Sequence, residues 1–393
     1  MSAFDDDLVV ARQQRFREAL EGSDLDAYVA VSEANVAQIT GYRSVSADLF
    51  SGHPMRAVMT RDRVILVAPS ADSGPALEIG VDAEDFVPYG RFYFMSAGGH
   101  PASEMADRFP DSAAALAEAC RIAGIDGGRV GIDGSLEDAS IAGVISQAAP
   151  SSELVEASNW ALEVRGPKLP GELARLSKAA ALALAGIDAA INAAGAGITE
   201  KELAGIVAST MAQGGGMPKF VVASIGVGSA LADVHPTDRA WQPGELLRFD
   251  VGCTFDGYWS DVGRTAVLGE PDRLQTSRYE AIYAGVEAEL EAMRPGVGAS
   301  SIFDLAVETV RRNGIDPYPR QHCGHGIGAD VYEPPIIRPG EEGVLEKGMT
   351  FCLETPFYEL GWGGMMVEDT VVVTNDGVEF IAELDRSLRV VPV

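Results

Sequence analysis

Residues 246–267 read LLRFDVGCTFDGYWSDVGRTAV, and their pairing decides how the second half of the chain is built. Two apolar runs of β-forming residues flank Asp256-Gly257, a dipeptide suited to the positive φ angles of a two-residue hairpin turn. If Phe255 faces Tyr258 across that turn, Gly252 faces Asp261, and Asp250 lies two residues further along the same face. Asp250 and Asp261 are then diagonal neighbours on one side of a twisted ribbon, roughly 7–8 Å apart at the backbone. Two carboxylates set among Phe249, Val251 and Val262 repel each other and lose hydration unless positive charge stands between them. One or two divalent cations would supply it. Taken alone, the pair also admits a plainer reading, with one Asp belonging to the turn and the other facing solvent.

Further donors follow downstream. The C-terminal half contains Gly324-His325-Gly326-Ile327-Gly328, Glu354 in FCLETP and Glu368 in MMVEDTVVV, each in or beside an apolar, β-like run. Five potential ligands in such settings favour a metal site over scattered surface acids.

At 393 residues and 47% hydrophobic composition, the chain has room for two domains and a large buried core. Its formal charge of −28 argues against nucleic acid as a partner, because phosphate contacts need clustered Lys and Arg, and against anionic membrane surfaces. Cys120, Cys253, Cys323 and Cys352 are far apart, with neither a CxxC pair nor a disulfide framework, which suits a reducing cytoplasm. The N-terminus is acidic where a signal peptide would be basic, and no apolar run reaches bilayer-crossing length. A soluble, cytoplasmic protein is the expectation.

In chain order, residues 5–22 form an amphipathic helix ending near Gly22, and 26–32 a strand. Residues 56–69 form a hairpin turning at Arg61-Asp62, 112–124 an Ala-rich helix and 129–133 a strand. Residues 91–110, rich in Gly, Ser and aromatics, form an irregular excursion over the surface or into a neighbouring subunit. Strand and helix alternate, so the expected fold of 1–164 is an α/β domain. A boundary falls near 164–170, where Gly166, Pro167 and Pro170 interrupt both periodicities. Beyond it, Leu173, Leu176, Ala180, Leu184, Ile187 and Ile191 recur at helical spacing. Thr199-Glu200-Lys201-Glu202 is a capping box, and Ser301 is expected to open another helix. With strands at 219–225 and 246–267, residues 165–393 read as helices packed on one face of an antiparallel sheet, an α+β domain.

These motifs resemble the pita-bread metallopeptidase family, which includes Xaa-Pro dipeptidase, aminopeptidase P, methionine aminopeptidase and the metal-free creatinase. The resemblance rests on Asp250, Asp261, His325, Glu354 and Glu368 at matching intervals, on RGPKLPGELARLSKAA (165–180), on PTDR (236–239) and, in the first domain, on DAYVAVSEANVAQITGY (26–42). It implies a pita-bread catalytic domain behind a creatinase/prolidase-like N-terminal domain, and a homodimer. It also implies two divalent ions (Mn, Co, Fe or Zn) bridged by Asp261 and Glu368, with Asp250 on one and His325 and Glu354 on the other. Hydroxide activated by the metals would attack the carbonyl of a small peptide or amide, with Glu354 as general base.

The departures are as specific as the matches. Three further histidines of the Xaa-Pro peptidases are replaced by Asp233, Gln321 and Tyr332, although His235 and His322 stand two and one residues away. One reading is an Xaa-Pro-type peptidase in which His235 and Tyr332 take over, Tyr332 donating a hydrogen bond to the oxyanion. The alternatives are a C–N hydrolase of a small amide or amidino compound, a lyase, which Val251 and Gly252 beside Asp250 disfavour, and a metal-stabilised binding protein. His53 and His100 read as surface histidines. Arg338 reads either as a clamp for a substrate carboxylate or as a solvent-facing residue. Phe92, Tyr93 and Phe94 read either as pocket wall or as interface anchors. Met365, Met366, Cys253 and Cys352 read as packing.

Overall fold

The computed structural model describes residues 6–50, 52–138 and 140–393, and these form two compact units, Met1–Arg165 and Gly166–Val393.

The first unit is a six-stranded mixed sheet. Its strands are β1 (Ala27–Ala30), β2 (Arg56–Met59), β3 (Val64–Pro69), β4 (Phe86–Tyr89), β5 (Gly128–Ile132) and β6 (Ser152–Glu156), in the order β4-β3-β2-β1-β5-β6. Side-chain alternation gives the central strand β1 two apolar faces. In β1, Tyr28 and Ala30 pack with Phe16 and Leu20 of the helix Asp6–Glu21, while Ala27 and Val29 pack with Leu116 and Ala119 of the helix Ser112–Ile122. Residue 5 of the expected first helix lies outside the described residues. Between β4 and Ser112 the only helical turn is Pro101–Glu104, and Phe92, Tyr93 and Met95 are exposed. His53 and His100 are exposed as well.

The second unit carries β7 (Met217–Ile225), β8 (Leu246–Phe255), β9 (Tyr258–Trp259), β10 (Val262–Leu268), β11 (Gly324–Gly326), β12 (Glu333–Ile336), β13 (Thr350–Glu354), β14 (Phe357–Glu359), β15 (Gly363–Met365), β16 (Glu368–Val373), β17 (Val378–Phe380) and β18 (Arg389–Val391). The main sheet runs β12-β11-β13-β16-β10-β8-β7, with β9, β17 and β18 attached to it and β14 paired with β15 apart. Its faces differ. Leu247, Phe249, Val251 and Cys253 of β8 pack under the helices Pro170–Ala193 and Glu200–Gln213. Val371 and Val373 of β16 pack under Arg273–Ala292 and Ala299–Arg312. The intervening residues, Arg248, Asp250 and Gly252 on β8, point to the other side.

Two sequence expectations are corrected here. Pro170–Ala193 is, by length and composition, apolar enough to cross a membrane. A search for uninterrupted apolar runs misses it because Glu172, Arg175, Lys178 and Asp188 are spaced along it. Its Leu176, Ala180, Leu184, Ile187 and Ile191 are spent on the protein core. Ser301 opens no helix: the helix begins at Ala299 with Gly298 as its cap, and the Ser301 hydroxyl donates backward to the Gly298 carbonyl at 2.7 Å. Thr199 does cap, accepting from the Glu202 amide at 3.2 Å while Glu202 accepts from the Thr199 amide at 2.8 Å.

Candidate metal centre

The site is assembled by register. Asp256 and Gly257 take φ values of 44° and 80°, the doubly left-handed pair of a tight hairpin, and Phe255 faces Tyr258. Continuing inward, Gly263 of β10 faces Asp250 of β8 on one side and Glu368 of β16 on the other. Glu368 faces Glu354 of β13, and Cys352 faces His325 of β11. Directly opposed residues share a face of the sheet, as do residues two apart on one strand. Asp250 on β8, His325 on β11, Glu354 on β13 and Glu368 on β16 therefore converge with Asp261, which immediately precedes β10. Gly263 keeps the centre open, since a Cβ there would come within 2.2 Å of Met366 Sδ.

The tightest group is Asp261, His325, Glu368 and Cys352, all buried, with one donor atom from each within 4.8 Å of the others. His325 Nδ1 lies 2.9 Å from the Gly326 carbonyl. That contact calls for a proton on Nδ1 and leaves the lone pair on Nε2. Among the described residues, Nε2 is buried without a hydrogen-bond partner, 3.6 Å from Asp261 Oδ2, and Asp261 Oδ1 is likewise unsatisfied. Asp250 receives the Arg248 guanidinium at 3.2 Å. Glu354 has His322 Nδ1 at 3.1 Å and Arg320 at 3.8 Å.

The electrostatics follow from this crowding. Burial, and then the charge of Asp261, push Asp250 up to about 8. Burial raises Asp261, and burial together with the charge of Asp261 raises Glu368 well above the usual range. Burial works against the charge of Glu354 too, but the His322 contact and the Arg320 charge hold it below its ordinary value. Orphaned Nε2 and Oδ1 atoms beside mutually repelling carboxylates are what a divalent cation would satisfy. One imidazole among oxygen donors suits a first-row divalent ion.

Asp250, Asp261, Glu354 and Glu368 all line one cavity of about 490 Å³, as do Asp233, His235, Tyr332 and Met366. Asp233 and His235 are exposed at its edge. The Tyr332 ring stacks on His325 with centroids 3.7 Å apart, and burial raises its phenol, so the hydroxyl keeps its proton. Arg338 is absent from this lining; it is exposed and paired with Glu341 at 3.0 Å. Cys352, read from the sequence as packing, stands inside the donor group, where burial keeps its thiol protonated.

Sequence reasoning missed Arg248 and Arg320, and it noted His322 only as a histidine one residue off its expected position. Arg248 is fully buried and also donates to the carbonyls of Ser229, Leu231 and Ala232. It therefore anchors both Asp250 and the chain leading to Asp233. Its place two residues from Asp250 on one strand was the available signal. Arg320 and His322 precede β11 in irregular backbone, where periodicity carries no facing information.

Residues 12–166 match the Creatinase/Prolidase N-terminal domain, and residues 174–375 match metallopeptidase family M24. The Xaa-Pro dipeptidase of Lactobacillus helveticus is 34% identical over 61% of this chain and 66% of its own length. That of Pyrococcus furiosus is 32% identical over 58% and 66%. The probable dipeptidase PepE of Mycobacterium tuberculosis is 36% identical over 50% and 53%. The chain thus spans just under two thirds, or less, of these relatives' lengths. Among solved structures, dipeptidase PepE of Mycobacterium ulcerans superposes with a TM-score of 0.78 at 24% identity, covering 99% of this chain and 100% of the other. Prolidase of Pyrococcus furiosus superposes at 0.74 with 23% identity, covering 94% and 100%. These share the fold, a creatinase-type N-terminal domain followed by the pita-bread sheet. With more than half its residues matched by the family's own domain, the chain belongs to metallopeptidase family M24.

Proposed function

We propose that this chain is a metal-dependent dipeptidase acting on small peptides, with Xaa-Pro dipeptides as the first substrates to test. The observation that carries the reading is the pair of buried ligand atoms without a hydrogen-bond partner among the described residues, His325 Nε2 and Asp261 Oδ1, beside the carboxylates of Asp250, Glu354 and Glu368.

Asp250, Asp261, His325, Glu354 and Glu368 would hold two divalent ions drawn from Mn, Co, Fe or Zn. Bound there, such ions supply Lewis-acid polarisation of a carbonyl oxygen and activation of a water molecule. Glu354 would accept a proton from the attacking water, and His322 at 3.1 Å would offer a route for its onward transfer. The protonated Tyr332 hydroxyl donates toward the carbonyl oxygen as it gains charge. His235 meets the substrate at the cavity edge. Arg248 fixes the Asp250 carboxylate. A second reading, hydrolysis of a small amide or amidino compound, draws support from Asp233, whose exposed carboxylate on the same cavity suits a cationic substrate group.

A cytoplasmic location and homodimeric assembly complete the proposal. The four cysteines, all buried and free of disulfides, support a reducing compartment. Glu354→Gln, assayed at matched metal occupancy because Glu354 is also a proposed ligand, tests the assignment of the base: turnover should be lost while the unfolding temperature is largely kept. Retained turnover in that variant would remove Glu354 from the chemistry.

A further inference from the structure

The helix-bearing face of the same sheet carries a second cavity, of about 940 Å³, between the helix Arg273–Ala292 and the segment 383–388. Its walls combine aromatic rings with carboxylates. Tyr279 and Tyr283, four residues apart on one helix face, have ring centroids 6.5 Å apart, and Phe380 of β17 joins them. Glu280, Glu383 and Asp385 line the space too, and Asp369 of β16 contributes a carboxylate that is 2% exposed.

Asp369 is only half satisfied. Arg264 donates to its Oδ1 at 2.6 Å, whereas Oδ2 is buried without a hydrogen-bond partner among the described residues and has Arg386 Nε 4.0 Å away. The Arg386 guanidinium is itself engaged by Glu287 at 2.5 Å. It also lies 5.2 Å from the Tyr283 ring centroid and 4.9 Å from that of Phe380. The chain therefore already seats one guanidinium on these rings, with open volume beside it and carboxylates in excess. Anions are disfavoured by that excess, and an uncharged donor, although able to hydrogen-bond Oδ2, would leave the surplus negative charge uncompensated.

We propose that this cavity binds a small organic cation, an alkylammonium or alkylguanidinium, with its charge on Asp369 Oδ2 and its body against the tyrosine and phenylalanine rings. The site is separate from the metal centre, since Asp369 and its neighbour Glu368 point to opposite faces of β16.

The test is calorimetric titration of the metal-loaded protein with butylguanidinium, butylammonium and uncharged butyramide at low ionic strength. Both cations should bind saturably at one site and butyramide should not. Asp369→Asn also strips the buried Arg264 of its partner, so Tyr283→Ala and Glu383→Gln are the variants to read. Tyr283→Ala should weaken binding roughly five-fold or more, and Glu383→Gln by a smaller factor. Arg386→Ala, which vacates the seat on Tyr283 and Phe380, should tighten butylguanidinium binding. Absence of saturable cation binding, equal uptake of butyramide, or affinities unmoved in Tyr283→Ala and Arg386→Ala would each overturn the proposal.

Discussion

His322 Nδ1 stands 3.1 Å from Glu354 Oε1, so an imidazole reaches the proposed base from a position one residue beyond the one that sequence alignment by motif would give it. Gln321, which holds that position, is exposed. If His322 carries the proton away from Glu354, His322→Ala should lower kcat by roughly 10–100-fold with little change in KM. Steady-state kinetics at constant metal occupancy would check this. An effect confined to KM would assign His322 to substrate binding instead.

Gly263 lies opposite both Asp250 and Glu368, and a side chain there would strike Met366 Sδ at 2.2 Å. Gly263→Ala should cost about 1–3 kcal/mol through overpacking and should weaken metal binding by displacing Glu368. Met366→Ala in the same chain should recover part of both losses. Thermal unfolding and metal titration of the single and double variants give the answer; independent, additive losses would rule out the steric account.

The buried carboxylates tie stability to pH. Asp250 is pushed up to about 8, and Asp261 and Glu368 are raised as well, with burial the leading cause for each. The folded, metal-free protein therefore retains protons that the unfolded chain releases above about pH 4. Stability should fall as pH rises from about 4 through about 8. His325 acts in the same sense. Burial lowers it, but its contact with Asp261 leaves it raised overall, so its contribution is present at low pH and lost as pH climbs. Binding of a divalent ion should release protons and reverse the trend. Unfolding temperatures across pH, and metal titrations in buffers of different ionisation enthalpy, measure both effects. A metal-free protein that gains stability between pH 5 and 8 would contradict this electrostatic picture.

Much of this was legible in the chain because the local signals agreed with the global pattern. Asp256-Gly257 specifies its turn by positive φ, and the period of two then brings Asp250, Asp261 and Gly263 to one face without further information. Thr199 and Glu202 mark a helix start for a similarly local reason. What escaped depends on contacts between distant segments. Arg320 approaches Glu354 from an irregular stretch with no period to project, and that same stretch kept His322, noted as one residue off its expected position, from being given a facing. Cys352 enters the donor group only because β13 pairs with β11 and brings it opposite His325. Ser301 looks like a cap in isolation, but its hydroxyl donates backward to Gly298.

The most direct test of the account is hydrolysis of a panel of Xaa-Pro and other dipeptides by protein reconstituted with Mn²⁺, Co²⁺ or Zn²⁺, beside Asp261→Asn, which removes a donor from the centre of the cluster. The account predicts metal-dependent release of free amino acids by the native chain and a loss of at least about 100-fold in the variant, as expected where the metal supplies most of the transition-state stabilisation. Stoichiometric metal binding with no cleavage of any dipeptide would contradict the dipeptidase assignment and turn the search to small amide or amidino substrates.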